Sequence, residues 1–367
     1  MRIRHDGSNA MHAGTSTGSD VTTMVALRVS LGKMDGGGRR VTAFRRALES
    51  VGAVRLVAVG PKGPEADAAV LHSPLHRAKR RLLPVPLRSP VERLLAKQAC
   101  SGPTLSLVPS AHHWSLDCGP TWLDFADLWS DIARNHARTV DPISAAFNRA
   151  HARIWADRET AEVRHADVTS VASWADRNRL GGNAVWLPTP VTDRFNTKRR
   201  PTTLISRTCG MLANFDYPPN RDAYRRLVSE WLPLLAPNFD RVLVAGFGSD
   251  TLPPSPHIDI LGSVASVDSF YRNVDAVVAP IERGGGMKVK VVEAMMHGVP
   301  VIATEHSREG LPPAISAACT GITERVPFGH DPREYASVAE ELRHFTFESF
   351  AQRFRTLWFE RMEAPHG

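Results

Sequence analysis

The chain has 367 residues, of which 43% are hydrophobic and 23% charged, and its formal net charge is +7. That length suits two domains better than one core, and no apolar run is long enough to span a membrane as a helix. Cys100, Cys118, Cys209 and Cys319 form no CxxC pair, which argues against a zinc knuckle or a disulfide scaffold and for a reducing cytoplasm.

Residues 1–20 are rich in Gly, Ser, Thr and His and lack an apolar core segment. They are expected to be a disordered tail rather than a secretory signal. Met24 to Val29 is the first strand expected. Gly36-Gly37-Gly38 reads as a loop opening into a helix over about Arg39–Ser50. A second strand covers Val54–Val59. Between His72 and Lys97 stand seven basic residues (Arg77, Lys79, Arg80, Arg81, Arg88, Arg93 and Lys97) against one acid, Glu92. This run is either a solvated connection or a surface for weak peripheral contact with anionic lipid. Pro84, Pro86 and Pro90 break any long basic helix, and the interleaved aromatics of a single-strand nucleic-acid binder are missing.

Strands follow at Leu105–Val108, Thr121–Phe125, Asp167–Val171 and Ala184–Leu187, with a polar helix over about Ser144–His165. Thr192 to Thr203 has no periodicity and is the linker expected. The alternation then restarts. Strands are predicted at Thr208–Ala213, Arg241–Ala245, Asp275–Ala279 and Val301–Thr304, and helices at Arg221–Leu235 and Lys288–His297. Phe347, Phe350, Phe354 and Leu357 recur at helical spacing. The division expected is a tail (1–20), an N-terminal domain (21–192), a linker (193–203) and a C-terminal domain (204–342), with a last helix (343–363) crossing back to the first domain. Alternating strands and helices imply an α/β fold with two Rossmann-like domains, their parallel sheets facing a cleft.

The chemistry concentrates at 277–304. A strand ends at Pro280, and Gly284-Gly285-Gly286 open into a helix. Glycines admit unusual backbone angles and a close phosphate, and a helix start adds unpaired N–H groups and partial positive charge. Lys288 and Lys290 add two cations, although the GxxxxGK[ST] spacing of a Walker loop is absent. Gly286, Lys290, Glu293 and His297 share one helix face. Glu293 stands roughly 9–11 Å along the axis from Gly286, about the span from a pyrophosphate to its ribose. A carboxylate there could accept from a vicinal diol. The plainer alternative is a surface ion pair between Lys290 and Glu293, with His297 at the helix end.

Pro280, Gly284 to Gly286, Lys290, Glu293-Ala294-Met295, Gly298, Pro300-Val301 and Glu309-Gly310-Leu311 together resemble the donor-binding segment of retaining GT-B glycosyltransferases of family 4. The resemblance extends to Asn214–Asp222, Arg241–Gly246 and Gly262–Val264, and loosely to Gly36–Arg39 and Trp122–Asp127. It implies transfer of a sugar from a nucleoside diphosphate to a hydroxyl acceptor, with retention; the sequence has no DxD motif, and no metal or other cofactor is expected. It assigns Glu293 to the donor ribose, Gly284 to Gly286, Met287, Lys288 and Lys290 to the diphosphate and sugar, and Val264 to the base. Gly36, Gly37, Gly38 and Arg39 would face the diphosphate from the first domain. Candidates for the acceptor side are Asp127, His112 and His113, with Asp124 nearby. One departure stands out: Gly285 occupies a position where the wider family carries a glutamate. That keeps open a catalytically silent partner protein, and a sugar-nucleotide epimerase on the same fold is a second rival. The location expected is cytoplasmic, with peripheral contact at the inner membrane face. Nucleic acid is not an expected partner.

Overall fold

A computed structural model describes residues 21–27, 36–60, 64, 66–70, 102–109, 112, 118–193, 207–323 and 338–363. The basic run at 72–97, His113, Cys100 and most of the expected linker lie outside the described residues.

The first sheet has seven strands: β1 (Val21–Leu27), β2 (Ala53–Val59), β3 (Ala68–Val70), β4 (Thr104–Ser106), β5 (Thr121–Phe125), β6 (Val168–Val171) and β7 (Ala184–Trp186). Their order is β3-β2-β1-β4-β5-β6-β7, and every pairing is parallel. The second sheet orders β8 (Thr208–Leu212), β9 (Arg241–Ala245), β10 (Ile258–Ile260), β11 (Ala276–Ala279) and β12 (Val301–Ala303) as β10-β9-β8-β11-β12, again all parallel. β5 and β11 are buried at every position, as strands covered by helices on both faces must be. Each order reverses direction beside its first strand, so each sheet has a crevice at the carboxyl ends of its strands.

Helix α1 (Gly36–Glu49) starts three residues earlier than expected. The glycines form its first turn, not a loop. A Cβ on Gly36 would lie 3.9 Å from Val289 of the second domain, so this end of α1 sits close to the opposite wall. Next come α2 (Trp129–His136), α3 (Pro142–Val163) and α4 (Trp174–Leu180). Asp141 caps α3 by accepting from the N–H groups of Ile143 and Ser144. In the second domain α5 (Pro218–Arg226) runs through a π turn (Leu227–Trp231) into α6 (Leu232–Leu235). Pro233 supplies no N–H, which explains why the uninterrupted helix expected there does not form. Further α-helices among the described residues are α7 (Val267–Arg272), α8 (Val289–Met296), α9 (Glu305–Arg308), α10 (Pro313–Ala317) and α11 (Phe347–Arg361).

The chain crosses between the domains beside Thr192, which bridges to Thr346. From there α11 packs into the first core. Phe354 stacks on Trp122 with ring centres 4.9 Å apart, and Phe350 meets Phe44 edge-on at 5.0 Å. Trp358 is buried in the same cluster. Among the described residues no helix is long and apolar enough to cross a membrane.

Candidate functional site

The glycine segment follows β11, at the reversal point of the second sheet. Gly284 and Gly286 take φ of 111° and 61°, values that a side chain would resist. α8 begins at Val289, one residue later than expected, because Lys288 stands at the N-cap with its side chain folded back. Lys288 is buried, and its Nζ donates to the carbonyls of Gly285 and Gly286 at 3.0 and 2.8 Å. Its ammonium therefore holds the loop in shape. Burial lowers its pKa, and Asp127 opposes that. Lys290 donates to Asn220 Oδ1 at 2.7 Å. Burial, then the charge of Lys288, bring its pKa down to about 7.

Glu293 is buried, which excludes the surface ion pair with Lys290. Its partner comes from the other domain: Arg39 Nη1 donates to Oε1 at 2.7 Å. Tyr271 donates its hydroxyl to Oε2 at 3.3 Å. His297 closes α8, with ring nitrogens 2.8 Å from the Glu293 carbonyl and 2.7 Å from Asp268 Oδ1. Met287 is buried in the same core, and half-buried Val264, after β10, packs against it.

Of the first-domain candidates, Asp127 reaches the loop. A Cβ on Gly286 would fall 1.7 Å from its Oδ1, and one on Gly285 would fall 3.2 Å from its Cβ and 2.8 Å from Ile132 Cγ1. These two glycines are thus the reason the first domain can close onto the loop. They also leave no room for the glutamate of the wider family. Asp127's pKa is raised by burial, offset in part by Lys288 and Arg40. Asp124 does not face the cleft. It is buried within β5 and takes two bonds from Arg40, at 2.6 and 2.5 Å, and one from Ser170 Oγ at 2.5 Å. Arg40 also donates to the Leu187 carbonyl at 2.9 Å and to Thr189 Oγ1 at 3.1 Å, which fixes the start of α1 on its sheet. His112 is neither an exposed loop residue nor on the cleft surface. It is fully buried, with Nδ1 2.8 Å from Glu162 Oε2 of α3.

Several cleft residues carry no signal in the sequence. Asn135 and His306 both donate to the Gly284 carbonyl, at 3.4 and 3.0 Å. The Tyr217 hydroxyl lies 3.1 Å from where a Gly284 Cβ would stand. The Trp174 backbone N–H donates to the Gly310 carbonyl at 2.9 Å, a further tie between the domains. Near it, Asp176 is buried and its pKa rises to about 7, through burial first and then the charge of Asp127. Among the described residues no cluster of His, Cys, Asp and Glu could hold a metal ion.

With two parallel sheets meeting at such a cleft, known structures can be compared over nearly the whole chain. The Anabaena protein Alr3699/HepE, solved in complex with UDP-glucose, is 13% identical and superposes with a TM-score of 0.54, covering 93% of this chain and 100% of its own. The fold is GT-B. The lipopolysaccharide outer core galactosyltransferase WaaB, in its apo form, gives 12% identity and a TM-score of 0.54 over 93% of this chain and 99% of its own. TarM gives 9% and 0.51 over 94% and 96%. Residues 206–343, the second GT-B domain with the glycine loop and Glu293, match the family described as Glycosyl transferases group 1. No curated protein matches the chain by sequence. The chain is thus glycosyltransferase-like, and its GT-B cleft joins α1 and Asp127 of one domain to α8 of the other.

Proposed function

We propose that the cleft binds a nucleoside-diphosphate sugar in its second domain and transfers the sugar to a hydroxyl acceptor presented by the first. The observation that carries this reading is Glu293. It is a buried carboxylate on the helix behind the glycine loop, held by a single cross-domain arginine that a ligand can replace. A ribose diol in place of Arg39 would donate to the same oxygens. Lys290 would exchange Asn220 for a phosphate oxygen, and Arg39, once released, lies at the start of α1 facing the loop. The bond from the anomeric carbon to the diphosphate oxygen breaks, a bond to the acceptor oxygen forms, and the acceptor proton leaves with the diphosphate or to water. Loop N–H groups, the start of α8 and the nearby cations would stabilise the departing charge, with no metal required. Asp127, pressed against Gly285 and Gly286, places a carboxyl group where the sugar and acceptor would meet. Retention of anomeric configuration follows from the resemblance to family 4.

The donor to test first is UDP-glucose, the ligand of the Anabaena neighbour. The test is titration calorimetry of the full chain with UDP-glucose and with the other common nucleoside-diphosphate sugars. It is followed by release of the nucleoside diphosphate with and without hydroxyl acceptors. Binding plus acceptor-dependent release supports transfer. Binding of none of them removes the reading, and an altered donor sugar formed without any acceptor would show an epimerase instead.

A further inference from the structure

The turn from the end of β8 into α5, residues 214–221, runs beside the glycine loop and is held together by its own side chains. Asn214 Oδ1 accepts from the Asp216 N–H at 3.0 Å. Asn220 donates to the Asn214 carbonyl at 2.6 Å and accepts from Lys290. Arg221 donates to the Phe215 carbonyl and lies 3.7 Å from Asp216 Oδ1. Tyr217 is the exception. It is 50% exposed, and among the described residues its hydroxyl has no hydrogen-bond partner. Yet that hydroxyl is aimed at the loop, 3.1 Å from where a Cβ on Gly284 would stand. Pro218 confines Tyr217 to extended backbone, φ −83° and ψ 116°, which fixes the direction in which the side chain leaves the turn. Burial of the hydroxyl end, then the charge of Asp127, raise the Tyr217 pKa, with Arg283 opposing. The phenol is therefore a protonated donor at neutral pH.

The loop indicates where a phosphate would lie. The carbonyls of Gly285 and Gly286 turn inward to the buried Lys288 ammonium, at 3.0 and 2.8 Å. In a planar trans peptide the next N–H points the opposite way. The N–H groups of Gly286 and Met287 therefore face away from Lys288, and among the described residues neither has an acceptor. Successive free N–H groups of this kind make an anion cradle. We infer that Tyr217 is a catalytic residue of the donor side, its hydroxyl donating a hydrogen bond to the diphosphate oxygen that leaves the sugar. This inference rests on the reaction proposed above. As the bond from the anomeric carbon to that oxygen breaks, the electron pair stays on the oxygen and its charge grows. The phenol keeps its proton, and its hydrogen bond strengthens as the charge develops, so it stabilises the transition state more than the bound donor. A neutral donor suits this place. Lys288 already lowers the pKa of Lys290, and one more fixed cation beside them would lower it further.

The experiment compares Tyr217→Phe with the wild-type full chain, since phenylalanine keeps the ring and removes only the hydroxyl. Calorimetry is run with UDP, GDP, ADP and dTDP and with the matching monophosphates. The free diphosphate resembles the departing product, with full charge on its terminal oxygens. For the nucleotide that the wild type binds, Tyr217→Phe should weaken the diphosphate about tenfold and leave the monophosphate within about twofold. Release of the diphosphate from the saturating nucleotide sugar, UDP-glucose where uridine is the base, should slow on the order of tenfold to a hundredfold. The half-saturating donor concentration should change less, because the esterified oxygen of the donor is a weaker acceptor. Unchanged diphosphate affinity and rate in Tyr217→Phe, while the wild type binds, overturn this inference alone. Equal losses for monophosphate and diphosphate overturn it too, since the hydroxyl would then serve another part of the nucleotide. If Tyr217→Phe melts below the wild type, the ratio of the two affinities still decides, because a loosened fold weakens both. A wild type that binds none of these nucleotides overturns the proposed reaction and this inference with it.

Discussion

Glu293→Gln separates a ribose contact from a mere clamp between domains. In the unliganded protein Glu293 and Arg39 have side chains 11% and 24% exposed, so their bond is partly screened. Losing its charge should destabilise the fold by about 1 kcal/mol, a fall of roughly 2–4 °C in melting temperature for domains of this size. Donor binding should suffer more. Glutamine keeps the shape, and its carbonyl can still accept one hydroxyl, but the charge-assisted part of the diol contact is gone. With such bonds contributing about 1.5–3 kcal/mol against about 1 for neutral ones, affinity for the donor should drop on the order of tenfold to a hundredfold. Arg39→Met supplies the contrast, because it breaks the same bridge but leaves the carboxylate free for a diol. Calorimetric titration of UDP-glucose into the wild type and both variants, beside their melting curves, is the measurement. Parallel losses in the two variants, or unchanged affinity in Glu293→Gln, would refute the ribose role and leave the residue a clamp.

Three further outcomes are expected. Lys290, with its pKa near 7 in the free protein, should gain proton occupancy when a diphosphate arrives. Donor affinity should then fall as pH rises from about 7 to 9, by up to about tenfold per unit, and Lys290→Met should abolish that slope; calorimetry in buffers of different ionisation enthalpy reads the proton uptake directly. Asp176 has a folded pKa of about 7, above its ordinary carboxylate value. Its protonated form is therefore the one that favours the fold: the contribution is complete below about pH 4 and is lost as pH climbs toward 7. Chemical unfolding at pH 5 and pH 8 should show Asp176→Asn gaining on the wild type at the higher pH by on the order of 1–3 kcal/mol. Gly286→Ala would put a methyl into the Asp127 carboxylate at a backbone angle alanine resists; the domains should part, with small-angle scattering showing a larger radius of gyration and transfer activity falling at least about tenfold. An unchanged radius would show that Asp127 can step aside.

The strands were readable because parallel sheets demand uninterrupted apolar runs. Thr121–Phe125 and Arg241–Ala245 emerge with the boundaries the residues suggest. The glycine loop and the helix carrying Glu293 could be placed from local chemistry alone. What could not be read was partnership. Glu293 and Arg39 are 254 positions apart, and the choice of Arg39 over nearby Lys290 is made by the closing of two domains. The same holds for Lys290, which turns to Asn220, and for Asp124, whose place in a cleft-edge sequence hides a buried contact with Arg40. The early start of α1 was missed because three consecutive glycines read as a loop, although here they form the first turn of the helix.

The docking of α11 bears on how the protein can be made. Phe350, Phe354 and Trp358 complete the apolar interior around Phe44 and Trp122, yet the ribosome delivers them only after every strand of the second sheet. A nascent first domain must wait, with Phe44 and Trp122 uncovered, through the whole synthesis of its neighbour, at about 5–20 residues per second. The second core closes only slightly sooner, since Val338, Leu342 and Phe345, just ahead of α11, belong to it. The domain made first therefore finishes folding last, and it spends the interval as the segment most in need of a chaperone.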